Sequence, residues 1–225
     1  MIFKIKNYIC PSKTSHLKKA CLIIFLVLFI DQFSKVYVKT HFTLYEEINI
    51  LGLDWAKIYF TENSGAAWGF QLNDFFTFLS EAQAKIILTV FRIVVITGIG
   101  YWLFTSIKDK ASQILIVAIS LIIAGALGNI IDSVFYGVLF EESSRTAQNI
   151  ATFLPENGGY SNLFYGKVVD MFYFPMWKGN LPTWLPFKGG EPFTFFNAIF
   201  NVADFAISCG VGLLLVFNKR VFPKE

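Results

Sequence analysis

Residues 114–135 read ILIVAISLIIAGALGNIIDSVF, an apolar run in which Asp132 carries the only charge. A transmembrane helix needs about 20 such residues, because each adds about 1.5 Å along the axis and the hydrocarbon core is about 30 Å thick. Three further windows meet this requirement, at 20–38, 86–104 and 195–217. The sequence therefore predicts an all-α membrane protein with four transmembrane helices, folded as a single membrane domain over residues 1–225.

The composition of the 225-residue chain supports this class of protein. Hydrophobic residues make up 55% and charged residues 16%, whereas soluble domains carry about 25% charged residues. These values exclude a disordered chain, a nucleic-acid-binding arm and an ordinary cytosolic enzyme. The three cysteines, Cys10, Cys21 and Cys209, are too few and too far apart for a disulfide framework or a thiolate metal site.

The distribution of Lys and Arg predicts the orientation of the helices. Ten of these residues lie in the short segments 1–19, 107–112 and 218–225, whereas the long connections 39–85 and 136–194 together hold seven. Positive charge is retained on the cytoplasmic side of a membrane. We therefore expect an N-in/C-in topology, with both long connections forming outer loops.

The first outer loop, 39–85, contains two patterns. Alternating apolar and polar residues within 42–60 favour strands, and thus a small extracytoplasmic β-like cradle. Residues 74–85 are typical of a short amphipathic helix that lies in the membrane interface. The second outer loop, 136–194, shows no clear period, and its Trp177 and Trp184 suit a surface that rests on lipid headgroups.

Charged residues inside the predicted spans are costly, at about 2.5–3.5 kcal/mol each near the centre of a helix, and therefore need a reason. Counted along the predicted helices, they all fall toward the outer side of the membrane: Asp31, Lys35, Arg92, Asp132 and Asp204. This convergence predicts a polar site at that side.

Polar neighbours extend two of these positions into helical faces. The fourth span would carry Asn197, Asn201, Asp204 and Ser208 on one stripe, and the third would carry Gly125, Gly128, Asn129 and Asp132. Hydrogen bonding between helices explains Asp31 with Lys35, Asn129 and Asn197 at least as well as a catalytic role does. It explains Asp204 less well, because a carboxylate at that depth must be protonated or paired unless a function retains it.

The remaining side chains narrow the possible chemistry to carboxylates. The two histidines, His16 and His41, show no metal-binding spacing, and no GxSxG nucleophile motif is present. Three functions remain compatible with carboxylates in the spans. They are an enzyme that uses them as acid and base, a carboxylate-lined carrier or proton-coupled channel, and a scaffold with aromatic outer loops.

Five blocks of the sequence favour the enzyme. They are Asp31-Gln32-x-x-Lys35, Glu62-Asn63-Ser64-Gly65-Ala66-Ala67-Trp68-Gly69, Gly125-Ala126-Leu127-Gly128-Asn129-Ile130-Ile131-Asp132, Val168-Val169-Asp170, and Phe196-Asn197 followed by Asn201-Val202-Ala203-Asp204. In this order, and spread over most of residues 20–217, the blocks resemble the lipoprotein signal peptidase family, signal peptidase II. Each block is weak alone, but their combination is specific.

The resemblance implies an aspartyl endopeptidase of the bacterial inner membrane, with its active site at the extracytoplasmic face and no cofactor. It would remove signal peptides from prolipoproteins, cutting N-terminal to a diacylglyceryl-modified cysteine, and globomycin-type cyclic peptides would inhibit it. The catalytic pair would be Asp170 and Asp204, of which Asp170 is singled out by the resemblance alone. Supporting or substrate-contacting roles would fall on Asp31, Lys35, Asn63, Gly128, Asn129, Asp132, Asn197, Asn201 and Ala203.

The chain departs from the family pattern in two places. Ser133 stands where the family usually has an Arg, and Arg145, Lys167 or Arg92 are candidates to supply the missing guanidinium or its charge. The connection between Asp132 and Asp170 is also longer than is typical of the family, so that residues 138–166 are interpreted as an inserted lobe.

Overall fold

The structure is a computed structural model that describes residues 13–64, 80–146, 150–186 and 188–222. Its helices are α1 (Lys13–His41), α2 (Glu81–Lys108), α3 (Gln113–Leu139), α4 (Val202–Val216) and the short α5 (Asn218–Val221). The first three are long and apolar enough to cross a membrane, and α4 is a shorter apolar helix. The prediction of a mainly helical protein built on apolar helices is therefore confirmed.

Helix α3 lies at the centre of the helices. In its apolar window 56% of the residues are buried, compared with 17% in α1 and 11% in α2. Two glycines allow this close packing: a Cβ atom at Gly125 would collide with the backbone carbonyl of Ala203, and one at Gly128 would lie 2.5 Å from Asp31 Oδ2. Small residues therefore let α1 and α4 approach α3 closely.

The predicted start of the fourth span, residue 195, was wrong. The helix begins only at Val202, because Asn201 adopts an extended backbone and caps the helix with its side chain. Asn and Asp are favoured at this position because their side chains bind N–H groups that the first helical turn leaves without a partner. Asn197 therefore does not share a helical stripe with Asp204, contrary to the prediction.

Within the described residues, six strands form two sheets on the connections between the helices. A four-stranded antiparallel sheet has the order β1-β2-β3-β6, with β1 at Glu47–Asn49, β2 at Lys57–Asn63, β3 at Val168–Tyr173 and β6 at Ile199–Phe200. A hairpin joins β4 (Trp177–Asn180) to β5 (Pro192–Phe195). The presence of a small sheet confirms that part of the prediction, but the strands within 136–194 were not predicted.

The first outer loop agrees with the sequence analysis in part. Strands occupy 47–49 and 57–63, whereas 42–46 form a bend and a turn despite their alternating pattern. Half of the predicted interfacial helix at residues 74–85, namely 74–79, lies outside the described residues. Its last residues, 81–85, form the beginning of α2, where Ser80 and Gln83 form a capping box.

The inserted segment folds back onto the end of α3 and thereby leads the chain to β3. The Ser161 N–H donates to the Gly137 carbonyl at 2.8 Å, and the Gly166 N–H donates to the Ser133 carbonyl at 2.9 Å. The first bond satisfies a carbonyl in the last turn of α3, where a helix leaves carbonyls without an intrahelical partner, and the second attaches the segment one turn further back. Because the chain returns to the level of Ser133, Asp170 reaches the same layer as Asp132.

Candidate active site

Asp204 lies in the first turn of α4, where the chain passes from β6 into the helix. The Asn201 side-chain oxygen accepts a hydrogen bond of 2.9 Å from the Asp204 N–H, and Asp204 Oδ2 accepts one of 3.2 Å from the Asn201 N–H. This reciprocal bonding is a capping box. Asp204 Oδ1 also accepts a bond of 2.9 Å from Asn129 Nδ2. The carboxylate is therefore fixed by both α4 and α3.

Asp170 lies within β3, the strand that follows the inserted segment. The preceding Val168 and Val169 are β-branched residues that favour strands, and the backbone of Asp170 pairs with Thr61 of β2. Asp170 is 6% exposed, and its Oδ1 accepts a hydrogen bond of 2.7 Å from Asn201 Nδ2. The orientation of this carboxylate is therefore set by a residue at the start of α4.

Asn201 connects the two carboxylates through different groups of one residue. Its side-chain amide donates to Asp170, while its backbone N–H and its side-chain oxygen bind Asp204. The same amide lies within hydrogen-bond distance of the Val169 carbonyl and of Asn129 Oδ1, at 3.2 Å each. Because Asn201 is fully buried, these contacts identify it as a residue that supports the carboxylates from behind.

The pKa of Asp170 is raised toward neutral pH. Burial raises its pKa to about 7, and the negative charge of Asp204 acts in the same direction, while Lys35 and the hydrogen bond from Asn201 act against them. Two neighbouring carboxylates resist being ionised together and titrate as a unit. Asp170 is therefore suited to hold a proton near neutral pH beside a second carboxylate, as general acid and base catalysis requires.

A buried charged group, which we call the Lys35 cluster (Asp31, Lys35 and Asp132), lies next to this pair. Lys35 Nζ is 2.9 Å from Asp31 Oδ2 and 2.8 Å from Asp132 Oδ2, and all three side chains are inaccessible to solvent. Lys35 also donates to Asn129 Oδ1 at 3.0 Å. Since Asn129 in turn binds Asp204, the cluster holds the amide that orients one carboxylate of the pair.

Asp31 connects α1 to the start of α4. Its Oδ1 accepts a hydrogen bond of 2.8 Å from the backbone N–H of Ala203, in the first turn of α4. A negative charge is favourable at this end of a helix. Small residues are required at positions 128 and 203, because the Asp31 carboxylate lies between the backbones of α3 and α4. This contact places α4, and with it Asp204, relative to α1.

A cavity of about 1100 Å³ opens beside the two carboxylates. Asp170, Asp204, Asn129 and Asn63 line it together with Arg92. Apolar side chains form most of its remaining wall: Ala126, Val168, Phe172, Phe174, Met176, Phe196, Ala198, Ile199, Phe200, Val202, Phe205 and Ile207. The site thus combines a few convergent polar groups with a large apolar surface, as ligand sites commonly do.

Of the predicted supporting residues, Asn63 and Asn129 line the cavity, and Lys35 and Asn201 bind residues of its wall. Asp31 and Asp132 pair with Lys35, and Gly128 and Ala203 lie against Asp31. Asn197 differs, because it lies between β5 and β6 and its Oδ1 accepts a bond of 2.9 Å from the Tyr173 hydroxyl. Sequence analysis missed the role of Gln32, whose amide donates to Asp132 Oδ1 at 2.9 Å and to the Gly128 carbonyl at 3.2 Å. Its position directly after Asp31 was the available signal.

The three residues that could replace the missing family Arg at position 133 make different contacts. Arg92 Nη1 donates to Ser133 Oγ at 3.3 Å. The Arg145 guanidinium stacks over the ring of Tyr45, 4.6 Å from its centroid, and Lys167 pairs with glutamates. Arg92 is thus the candidate that reaches Ser133. Among the described residues, no group of His, Cys, Asp and Glu side chains has the arrangement of a metal site.

The fold and the candidate site together indicate a class of protein. It is a membrane protein of apolar helices that holds two carboxylates beside a cavity. Solved structures of bacterial membrane enzymes share this fold. One matches with a TM-score of 0.53 and 24% identity over 92% of this chain and 94% of its own, and a second matches with a TM-score of 0.53 and 22% identity. At these identities, the likeness concerns the fold alone.

Sequence comparisons identify the family. The family model described as signal peptidase (SPase) II matches residues 23–219. A protein of Porphyromonas gingivalis named lipoprotein signal peptidase is 42% identical over 204 residues, which cover 90% of this chain and 84% of the relative. One of Amoebophilus asiaticus with the same name is 35% identical over 87% of this chain and 75% of the relative. The chain therefore belongs to the signal peptidase II family, as its sequence blocks predicted.

Proposed function

We propose that this protein is an intramembrane aspartyl endopeptidase that cleaves signal peptides from prolipoproteins, N-terminal to the diacylglyceryl-modified cysteine. Membership of the signal peptidase II family supports the substrate class. The observation that carries the catalytic assignment is the Asn201 side chain, which holds Asp170 while the same residue caps the helix that presents Asp204. Both carboxylates line one cavity. No cofactor takes part in the proposed reaction.

The mechanism uses one proton on the carboxylate pair. The ionised carboxylate accepts a proton from water, and the water oxygen attacks the scissile carbonyl carbon, while the protonated carboxyl donates to the developing oxyanion. When the tetrahedral intermediate collapses, the C–N bond breaks and the leaving amine takes up a proton from the pair. The roles of acid and base belong to the pair and are not divided between Asp170 and Asp204.

The supporting residues follow from their contacts. Asn63 lines the cavity and is placed to bind the substrate backbone, whereas Asn129 and Asn201 orient the carboxylates. Lys35, paired with Asp31 and Asp132, holds the Asn129 amide, and Asp31 also binds the start of α4. Gly128 and Ala203 provide the space for that contact. Asn197 acts at a distance from α4, through Tyr173 of β3.

The proposed arrangement in the membrane has α1, α2, α3 and α4 as four spans, with both termini in the cytoplasm. The Lys and Arg distribution supports this orientation, and the protein would lie in the bacterial inner membrane as a single membrane domain. The carboxylate pair then lies at the extracytoplasmic face. A cavity with a largely apolar wall at that depth suits a substrate whose signal helix and acyl chains both lie in lipid.

A gel-shift cleavage assay in detergent tests this proposal. The substrate is a prolipoprotein that carries diacylglycerol on its cysteine, compared with the same chain without the lipid. We expect the wild type to cut the lipidated chain, and Asp170→Asn and Asp204→Asn to reduce the rate by about 10³-fold or more. The matched control is Asp109→Asn. Asp109 is exposed and follows the last residue of α2, so this variant should cut normally. A globomycin-type peptide should inhibit cleavage.

Other outcomes favour the alternatives. Cleavage by Asp170→Asn would mean that another acid partners Asp204. Normal cleavage by Asp204→Asn would contradict the aspartyl mechanism altogether. If the wild type fails on a substrate that another family member cuts under the same conditions, the peptidase proposal falls. A carrier would then be tested through transport, which neutralising Asp31 or Asp132 should abolish as readily as neutralising Asp170.

A further inference from the structure

Arg92 is a cation in the wall of the cavity that contains the carboxylate pair. It lies on α2, the helix with the smallest buried fraction of the three long helices. Its Nη1 nevertheless donates to Ser133 Oγ on α3 at 3.3 Å, and Ser133 is 3% exposed. Ser133 Oγ in turn donates to the Asn129 carbonyl at 2.8 Å. The guanidinium is therefore directed toward α3 and the interior of the site.

The charges around Arg92 are mainly negative. Asp204 of α4 acts on it most strongly, followed by Asp132 of α3 and Asp170 of β3. From α1, Asp31 and Lys35 lie behind Asp132 and largely neutralise each other. Among the described residues that line the cavity, Arg92 is the one with a positive charge. It is thus the cation that shares the cavity wall with the carboxylate pair.

A structural explanation of Arg92 is weaker than a functional one. An Arg in a transmembrane helix can extend its long side chain toward the interface and water. Here the charged group instead binds a nearly inaccessible hydroxyl and lines a cavity beside two acids. An arginine in a span that faces the interior of a helix bundle commonly marks a functional site.

We propose that Arg92 is a positioning residue for the carboxylate pair: the guanidinium, anchored on Ser133, stabilises the ionised carboxylate that takes the proton from water. This inference rests on the proposed function. Arg92 lies on α2, but its guanidinium binds Ser133 of α3, the position at which the family usually has an Arg. With a neutral residue at position 92, the negative charge of the carboxylate pair is less stabilised. The catalytic base therefore keeps its proton up to a higher pH.

The test is the pH profile of kcat/KM for cleavage of the diacylglyceryl prolipoprotein. We expect Arg92→Gln to move the acidic limb upward by about one pH unit, which lowers the rate about tenfold below that limb. Arg92→Lys retains the charge and should keep the wild-type limb. In the double variant Arg92→Gln/Ser133→Arg, a guanidinium returns from α3, and the limb should move back toward the wild type. Arg145→Gln is the matched control and should have no effect.

A purely structural role would lower the amount of folded enzyme or its rate at every pH and leave the limb unmoved. An unmoved limb in Arg92→Gln, or the same shift in Arg92→Lys, overturns the inference. If Arg92→Gln does not fold, Ser133→Ala decides, because loss of the anchor should shift the limb in the same direction and an unchanged limb contradicts the proposal. A wild type that does not cut at all overturns the proposed function as well, which separates the two failures.

Discussion

Two buried lysines lie one turn apart on α1 and belong to different parts of the molecule. Lys35 pairs with Asp31 and Asp132, and Lys39 pairs with Glu62 of β2. Both lysine side chains are inaccessible to solvent. Because a buried cation is tolerated only with a partner, each position requires a carboxylate from another element. The same physical requirement therefore operates twice on one helix.

The two groups differ in what they hold. The Lys35 cluster continues through Asn129 to Asp204, and so reaches the carboxylate pair. The second group, the Lys39 cluster (Lys39, Glu62 and Ser143), continues into the inserted segment. Ser143 accepts a bond of 2.8 Å from Lys39, whose ammonium also lies 5.1 Å from the ring centroid of Tyr160. The partners of a buried charge, rather than the charge itself, thus decide whether it serves the site or the scaffold.

The largest effect is expected from Lys35→Met, which leaves two buried carboxylates without their cation. Removing one partner of a buried ion pair costs about 3–5 kcal/mol, and here the loss also releases Asn129. We expect a lower unfolding temperature in detergent together with loss of cleavage. Lys57→Met removes an exposed pair with Glu47 and serves as the control, with little change in either property. Wild-type stability and cleavage in Lys35→Met would break the comparison.

The pH dependence distinguishes the carboxylate pair from both clusters. The folded-state pKa of Asp170, about 7, lies above its value of about 3.9 in the unfolded chain. The folded state therefore holds more protons between these values, and Asp170 lowers stability progressively as pH rises from about 4 to about 7, by roughly 4 kcal/mol.

Asp170→Asn removes this titration, so we expect the variant to unfold at a higher temperature than the wild type at pH 8. Wild-type cleavage should decline above about pH 7, as the pair loses its catalytic proton. Thermal unfolding and kcat/KM measured from pH 5 to 9 check both expectations. A stability difference that does not grow with pH would contradict the raised pKa.

An intermediate effect is expected from Lys39→Met. Glu62 keeps Lys167 at 3.7 Å from its other oxygen, so the loss should be smaller than for Lys35, about 2 kcal/mol. The weakened contact is the one between α1 and the inserted segment, whereas the carboxylate pair keeps its supports. We expect faster amide hydrogen exchange in 140–146 and 150–167, with cleavage per folded molecule unchanged. Loss of cleavage at full folding would mean that the Lys39 cluster also serves the site.

The smallest effect is expected from Gly128→Ala. The added Cβ would lie 2.5 Å from Asp31 Oδ2 and 3.2 Å from Ala203 Cβ, so that Asp31 must shift at a cost of about 1–2 kcal/mol. The unfolding temperature and the cleavage rate should both fall. Gly98→Ala on α2 is the matched control, because a Cβ there meets nothing within 4 Å. If the two variants are equally stable, the contact of α1 with α3 and α4 is looser than described.

The helices were the most predictable part of the fold. A run of apolar residues predicts α3 directly, because only a helix satisfies its own backbone within a membrane. The start of α4 was not predictable in this way, since residues 195–201 are mainly apolar but contain the end of β5, a turn and β6. Hydropathy measures transfer into lipid and does not detect the cap at Asn201, which sets the boundary.

Asp204 and Asp170 show the same division within the candidate site. Asp204 was detectable because a carboxylate among apolar residues is costly wherever the helix lies. Asp170 follows an inserted segment and carried no such signal, so only its resemblance to a known block selected it. Its burial and its bond to Asn201 arise from the return of the chain to the end of α3.

By itself, the sequence determined that this is a membrane protein of mainly apolar helices, and that its costly charges converge toward one side. Its blocks also identified the family. The tertiary structure alone decided which charges meet: Lys35 with Asp31 and Asp132, Asn201 with Asp170, and Arg92 with Ser133. The physical reason is that composition and periodicity act over a few turns, whereas these contacts join positions far apart in the chain whose proximity depends on how the helices and the sheet pack.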